Sequence, residues 1–118
     1  MSKAKAYIKE GCPFSFKFLA VMTEANLIDE IEIVRVREDD ADYEATKKML
    51  AEHLGKASFP AVEIEPGKYL ADSDRLIEHY AKRAGLQPDE MPVLSLYKQG
   101  ILPMLFELHK LKTAGAKP

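Results

Sequence analysis

The stretch AKAYIKEGCPFSFKFLAVMTEAN, residues 4–26, decides the fold. Its first part, Ala4 to Lys9, reads as a short strand. From Pro13 to about Asn26 the pattern becomes helical. Phe14, Phe18, Val21, Met22 and Ala25 fall on one face, with Lys17, Ala20 and Glu24 opposite. Proline is favoured at the first helical position. Gly11-Cys12-Pro13 is therefore a strand-to-helix junction, with the cysteine at the start of the helix.

Working outward, IEIVRVR (31–37) is β-branched and strand-like. A second helix is expected over 41–54, with Asp39, Asp40 and Asp42 at its start and Gly55 past its end. SFPAVEI (58–64) reads as a strand, Glu65-Pro66-Gly67-Lys68 as a turn, and Tyr69 to Ala71 as the returning strand. A third helix is predicted from Ser73 to about Ala84 on the stripe Leu76, Ile77, Tyr80, Ala81 and Ala84. Asp72 or Ser73 caps its start and Gly85 ends it. The order β-α-β-α-β-β-α joins a right-handed βαβ unit to a hairpin and helix. It predicts an α/β domain with a four-stranded mixed sheet covered on both faces.

The segment from about Asp89 to Lys112 is helical in pattern and very apolar. Gly100 and Pro103 interrupt it and predict a kink or two short helices. Residues after Thr113 are expected to fray. The division implied is a domain over 1–87 and a helical C-terminal extension over 88–118, packed on the domain or forming an interface.

Composition narrows the function classes. The chain has 118 residues and a formal net charge of −2. Its basic residues are scattered, which argues against nucleic acid as a partner. No apolar run approaches the roughly 20 residues that span a bilayer, so no membrane is expected. The start, MSKAKAYIKE, lacks the apolar core of a signal peptide. The single cysteine excludes an internal disulfide and a cysteine-rich zinc site. It suits a reducing cytoplasm. His53, His79 and His109 have no metal-ligand spacing with one another or with Cys12, so no metal site is expected.

Cys12 is the candidate nucleophile. A sulfur at a helix N-terminus faces unpaired backbone N–H groups, which favour the thiolate. Ser15, one turn on, is placed to donate a hydroxyl bond to it. The competing reading is a buried cysteine acting as a small hydrophobe.

KEGCPFS (9–15) resembles the active-site stretch of glutaredoxins and the Cys-Pro-Phe start of omega-type glutathione transferases. It is also similar to the Gly-Cys-Pro-Phe-Ser of the chloride intracellular channel proteins. All three share a thioredoxin-like glutathione-binding domain. Phe59-Pro60, before the third strand, falls where these families place a cis-proline. YLADSDRLIEHYAKRAG (69–85) resembles their strand, acidic-Ser pair and third helix, so the likeness covers about residues 3–86. It implies glutathione as co-substrate, with Cys12 forming a mixed disulfide with it. Lys9 would pair with the glycine carboxylate, and the Phe59 backbone, beside Pro60, would hold the cysteinyl part. Asp72 and Ser73 would hold the γ-glutamyl end, with Asp74 assisting at its ammonium. Pro13 and Phe14 would border the pocket. Tyr7 stands on the strand where several glutathione transferases carry a catalytic tyrosine, a role that Cys12 displaces.

Two departures shape the expected activity. Ser15 replaces the second cysteine of a dithiol glutaredoxin, so the chemistry implied is monothiol. The transferases carry a further helical domain, of which residues 88–118 are expected to supply only a short helical stretch. The expectation is a glutathione-dependent monothiol oxidoreductase. The alternatives are a non-catalytic glutathione- or protein-binding module and an iron–sulfur carrier. The apolar tail suggests a homodimer or a protein partner.

Overall fold

The computed structural model describes residues 3–116. Four strands, β1 (Ala4–Lys9), β2 (Ile31–Val36), β3 (Ala61–Glu65) and β4 (Lys68–Ala71), form one sheet in the order β2-β1-β3-β4. β1 pairs parallel to β2 and antiparallel to β3, and β3 pairs antiparallel to β4. The mixed α/β architecture matches the expected order. β3 starts later than the pattern suggested, because Pro60 has no N–H to give a ladder and pairing begins at Ala61.

Strand alternation separates the two faces of the sheet. Ala6, Ile8 and Val62 are buried on one face with Phe18, Val21 and Met22 of α1 (Pro13–Glu24) and Leu76, Ile77 and Tyr80 of α3 (Ser73–Ala84). Phe18 and Tyr80 meet at the centre, their ring centroids 5.9 Å apart. On the other face, α2 (Tyr43–Leu54) stacks His53 on Tyr69 of β4 at 4.1 Å. α2 begins at Tyr43, two residues after the expected start at 41. Gly55, at φ +89°, takes the left-handed conformation that ends it.

The tail joins the same core rather than standing apart. Met91 and Leu94 are buried in the α1–α3 cluster. After a 3₁₀ turn at Pro88–Glu90 come α4 (Pro92–Leu96), a π-helical turn (Tyr97–Ile101) and α5 (Leu102–Ala116). The carboxylate of Glu24, at the end of α1, accepts the N–H groups of Val93 (2.8 Å) and Leu94 (3.0 Å) at the start of α4. Pro103 withholds the N–H that the previous turn would accept. The helix passes this interruption by widening to a π turn instead of breaking. α5 continues to Ala116 where fraying was expected after Thr113, and Lys117 and Pro118 lie outside the described residues. Among the described residues no helix is long and apolar enough to cross a membrane.

Candidate functional site

The β1–α1 junction is built as its residues dictate. Gly11 takes φ +83°, a conformation that suits glycine, and turns the chain off the strand. Cys12 is the N-cap of α1 in extended geometry, and Pro13 opens the helix. No side chain caps the first turn, so its N–H groups remain available beside the cysteine. Cys12 is half-buried, and its sulfur lies 3.9 Å from the Phe59 carbonyl, a weak S–H donor contact across 47 residues. Phe59 precedes Pro60, and the bond between them is cis.

Phe59 is also a wall of an open cleft of about 640 Å³. The cleft runs from Phe14 past Lys17 and Phe59 to Ala71, Asp72, Ser73 and Asp74 at the start of α3. Cys12 does not itself line this cleft and meets it only through the contact with Phe59. Five of the residues expected from the sequence therefore line one cavity: Phe14, Phe59, Asp72, Ser73 and Asp74.

The α3 end of the cleft is tightly specified. Asp72 is the N-cap, its carboxylate accepting the Asp74 N–H at 2.9 Å. It holds φ +82°, which a residue with a Cβ adopts at a cost. Ser73 is buried. Asp72→Ala loses the cap and keeps the strain, whereas Asp72→Gly loses the cap and relieves it. We expect the alanine variant to lose about 1–2 kcal/mol and the glycine variant about half of that or less, read by urea unfolding. Equal losses would mean that the backbone conformation carries no cost.

Other expected residues are placed elsewhere. Lys9 points to Glu38, 2.7 Å away, and does not line the cleft. The bond to Glu38 holds the Lys9 ammonium above its usual range, and the same bond holds the Glu38 carboxyl below its own. Ser15 is fully buried, and its hydroxyl oxygen accepts the Lys9 backbone N–H at 3.3 Å. Among the described residues it makes no hydrogen bond to Cys12. Burial first, then the charge of Glu63, pushes the Tyr7 phenol up.

Sequence reasoning missed four residues. Lys17 was placed on a solvent face, yet only 5% of its side chain is exposed. Its ammonium lies 5.5 Å from the centre of the Phe14 ring and pairs with Asp74 at 2.9 Å, joining α1 to α3 along the cleft. Lys56 and Arg75 line the same cleft and bring further positive charge. Tyr97 donates its hydroxyl to the Pro13 carbonyl. Helical spacing could have flagged only Lys17, three residues beyond Phe14. Among the described residues no group of three or more metal-ligating side chains forms.

The comparisons agree with the fold. The family model described as "Glutathione S-transferase, N-terminal domain" matches residues 7–88. Glutaredoxin 2 from Salmonella typhimurium, solved in complex with glutathione, is similar in fold. Its TM-score is 0.58 at 20% identity, over 73% of this chain and 36% of that one. Oxidized glutaredoxin 2 from Chlamydomonas reinhardtii gives 0.54 at 26% identity, over 72% of this chain and 84% of that one. A glutathione transferase homologue from Sulfitobacter with bound glutathione gives 0.54 at 24% identity, over 86% of this chain and 48% of that one. This chain thus spans about a third of the Salmonella protein's length and about half of the Sulfitobacter protein's. No curated protein matches the sequence.

Proposed function

Because this chain belongs to the glutathione S-transferase N-terminal domain family, we propose that it is a monothiol, glutathione-dependent thiol–disulfide oxidoreductase with Cys12 as nucleophile. The observation that carries the reading is the single line of contacts from the Cys12 sulfur, through Phe59, along the cleft to Asp72–Asp74. A helix-start cysteine lies at one end of that line and an anion-binding helix start at the other. The glutathione bound in the Salmonella and Sulfitobacter structures supports the choice of ligand.

The chemistry runs in two displacements. The Cys12 thiolate attacks the glutathionyl sulfur of a mixed disulfide, a new S–S bond forms to Cys12, and the substrate leaves as its thiolate. The thiolate of a second glutathione then attacks that glutathionyl sulfur. Oxidised glutathione leaves and the Cys12 thiolate returns. The substrate disulfide is reduced, and the electron pair comes from glutathione.

In the cleft, the N–H groups at the start of α3, with Ser73 beside them, bind the γ-glutamyl carboxylate. Asp72 and Asp74 face its ammonium. The Phe59 backbone aligns the cysteinyl part, with Pro13, Phe14 and Pro60 shaping the approach. Asp74 already holds Lys17, so it has one partner before the ligand arrives. For the glycine carboxylate, Lys9 must exchange Glu38 for the ligand, whereas Lys56 already stands on the cleft wall. Ser15 acts through the backbone of β1 beside Cys12. The reaction suits the reducing cytoplasm.

The test is reduction of a glutathionylated peptide by the full chain, with glutathione supplied and oxidised glutathione recycled. Turnover that saturates with peptide is expected. A folded protein that leaves the uncatalysed rate unchanged rejects the reading.

One observation favours a second reading, in which residues 88–118 form an extension for binding. Leu96, Met104, Leu108 and Leu111 are 63%, 64%, 60% and 67% exposed, an apolar surface suited to a second copy or another protein. In that reading the site binds glutathione or a partner without turnover.

A further inference from the structure

Tyr97 belongs to the tail, and the thiol chemistry proposed above does not use it. Only 8% of it is exposed, and it opens the π turn after α4. Its hydroxyl donates to the carbonyl of Pro13 at 2.5 Å, a contact spanning 84 residues of sequence. Burial first, and then its neighbour Cys12, holds its phenol above the usual range. The tail grips α1 at two further points: Glu24 caps α4, and the Phe106 ring lies 6.0 Å from that of Phe14. α1 is therefore braced at both ends, and at the end that carries Cys12 the brace is the Tyr97 hydroxyl bond together with the Phe106–Phe14 ring contact.

We propose that Tyr97 is a positioning residue for Cys12, its hydroxyl bond to the Pro13 carbonyl holding the first turn of α1 in the geometry that favours the thiolate. Two physical effects act together. The Pro13 carbonyl carries partial negative charge one residue from the sulfur, and an O–H donor aimed at it offsets that charge. The same bond fixes the direction of the first-turn N–H groups, whose positive ends face the cysteine. Tyr97 acts on the sulfur through the turn, so it is not a catalytic residue. The inference rests on Cys12 being the reactive thiol of the proposed function, but not on glutathione being its ligand. It gives the tail a task in the site that the β-α-β-α-β-β-α unit alone does not perform.

Cys12 is the only cysteine in the chain, so alkylation by iodoacetamide reads that sulfur alone. The variants are Tyr97→Phe, which keeps the packed ring and removes only the hydroxyl, and Glu24→Gln, which weakens the brace at the far end of α1. Tyr97→Phe is expected to slow alkylation at neutral pH by about threefold, the scale of one modest hydrogen bond. It should match the unmodified chain at about pH 9.5, about one unit above the pKa of an ordinary free cysteine. Glu24→Gln should match it at both pH values. An unchanged rate at neutral pH overturns the proposal. So does an equal slowing at both pH values, which means altered access, or the same effect from Glu24→Gln, which means general loosening. A chain without glutathione turnover that still shows the expected alkylation pattern rejects the glutathione reading and leaves the role of Tyr97 standing.

Discussion

Cys12→Ser is expected to abolish glutathione-dependent turnover, a loss of roughly a thousandfold or more, down to the uncatalysed rate. No other thiol in the chain can take over, because Cys12 is the only cysteine. A serine hydroxyl stays protonated at neutral pH and is a far weaker nucleophile than a thiolate. The same change should leave the fold intact. Cys12 is the N-cap of α1 without a side-chain cap bond, and serine is a preferred N-cap. The variant should therefore be inactive yet at least as stable as the parent, by urea unfolding. An inactive and unstable variant would mean that the sulfur supports structure rather than chemistry. Residual turnover would move the nucleophile away from Cys12.

Phe18→Ala is expected to destabilise the chain by about 3–5 kcal/mol. Phe18 is fully buried on α1, its ring tilted against Tyr80 of α3 at 5.9 Å. Removing the ring loses its transfer free energy and leaves a cavity between two helices and the sheet. A domain of this size is commonly stable by only about 5–15 kcal/mol, so the loss is a large share of the total. Because α1 carries Cys12 and Lys17, and α3 carries Asp72 to Asp74, this packing also sets the width of the cleft. Thermal or urea unfolding reads the effect directly. A loss below about 1 kcal/mol would show that the core is not centred on this pair.

The elements were largely legible because their signals are local. A strand, a Gly-Cys-Pro turn and a proline-started helix lie within a few residues of each other. Asp72-Ser73 before an apolar stripe reads as a helix start whatever surrounds it. The contacts that complete the site are not local. Lys17 reads as a solvent-facing charge on a helical wheel, and only Asp74, 57 residues away, makes its burial possible. The Tyr97 hydroxyl bond spans 84 residues, and in sequence this tyrosine is one apolar position among many. Lys9 fits the expected spacing from Cys12, but the charge of Glu38, two residues past the end of β2, turns its ammonium aside, and spacing carries no information on that competitor. The tail pattern correctly pointed to an interruption near Gly100 and Pro103. It did not distinguish a break from a π turn, because both remove the same hydrogen bond.

The central claim is that glutathione lies in the cleft between Cys12 and the start of α3. It is tested most directly by titrating reduced glutathione into the ¹⁵N-labelled Cys12→Ser chain and following backbone amide shifts. The variant keeps the cleft and removes covalent capture. The account predicts saturable shifts at Phe14, Phe59, Ser73, Asp74 and Arg75, with the outer face of α2 unmoved. Shifts that do not saturate, or that map away from this cleft, would contradict it.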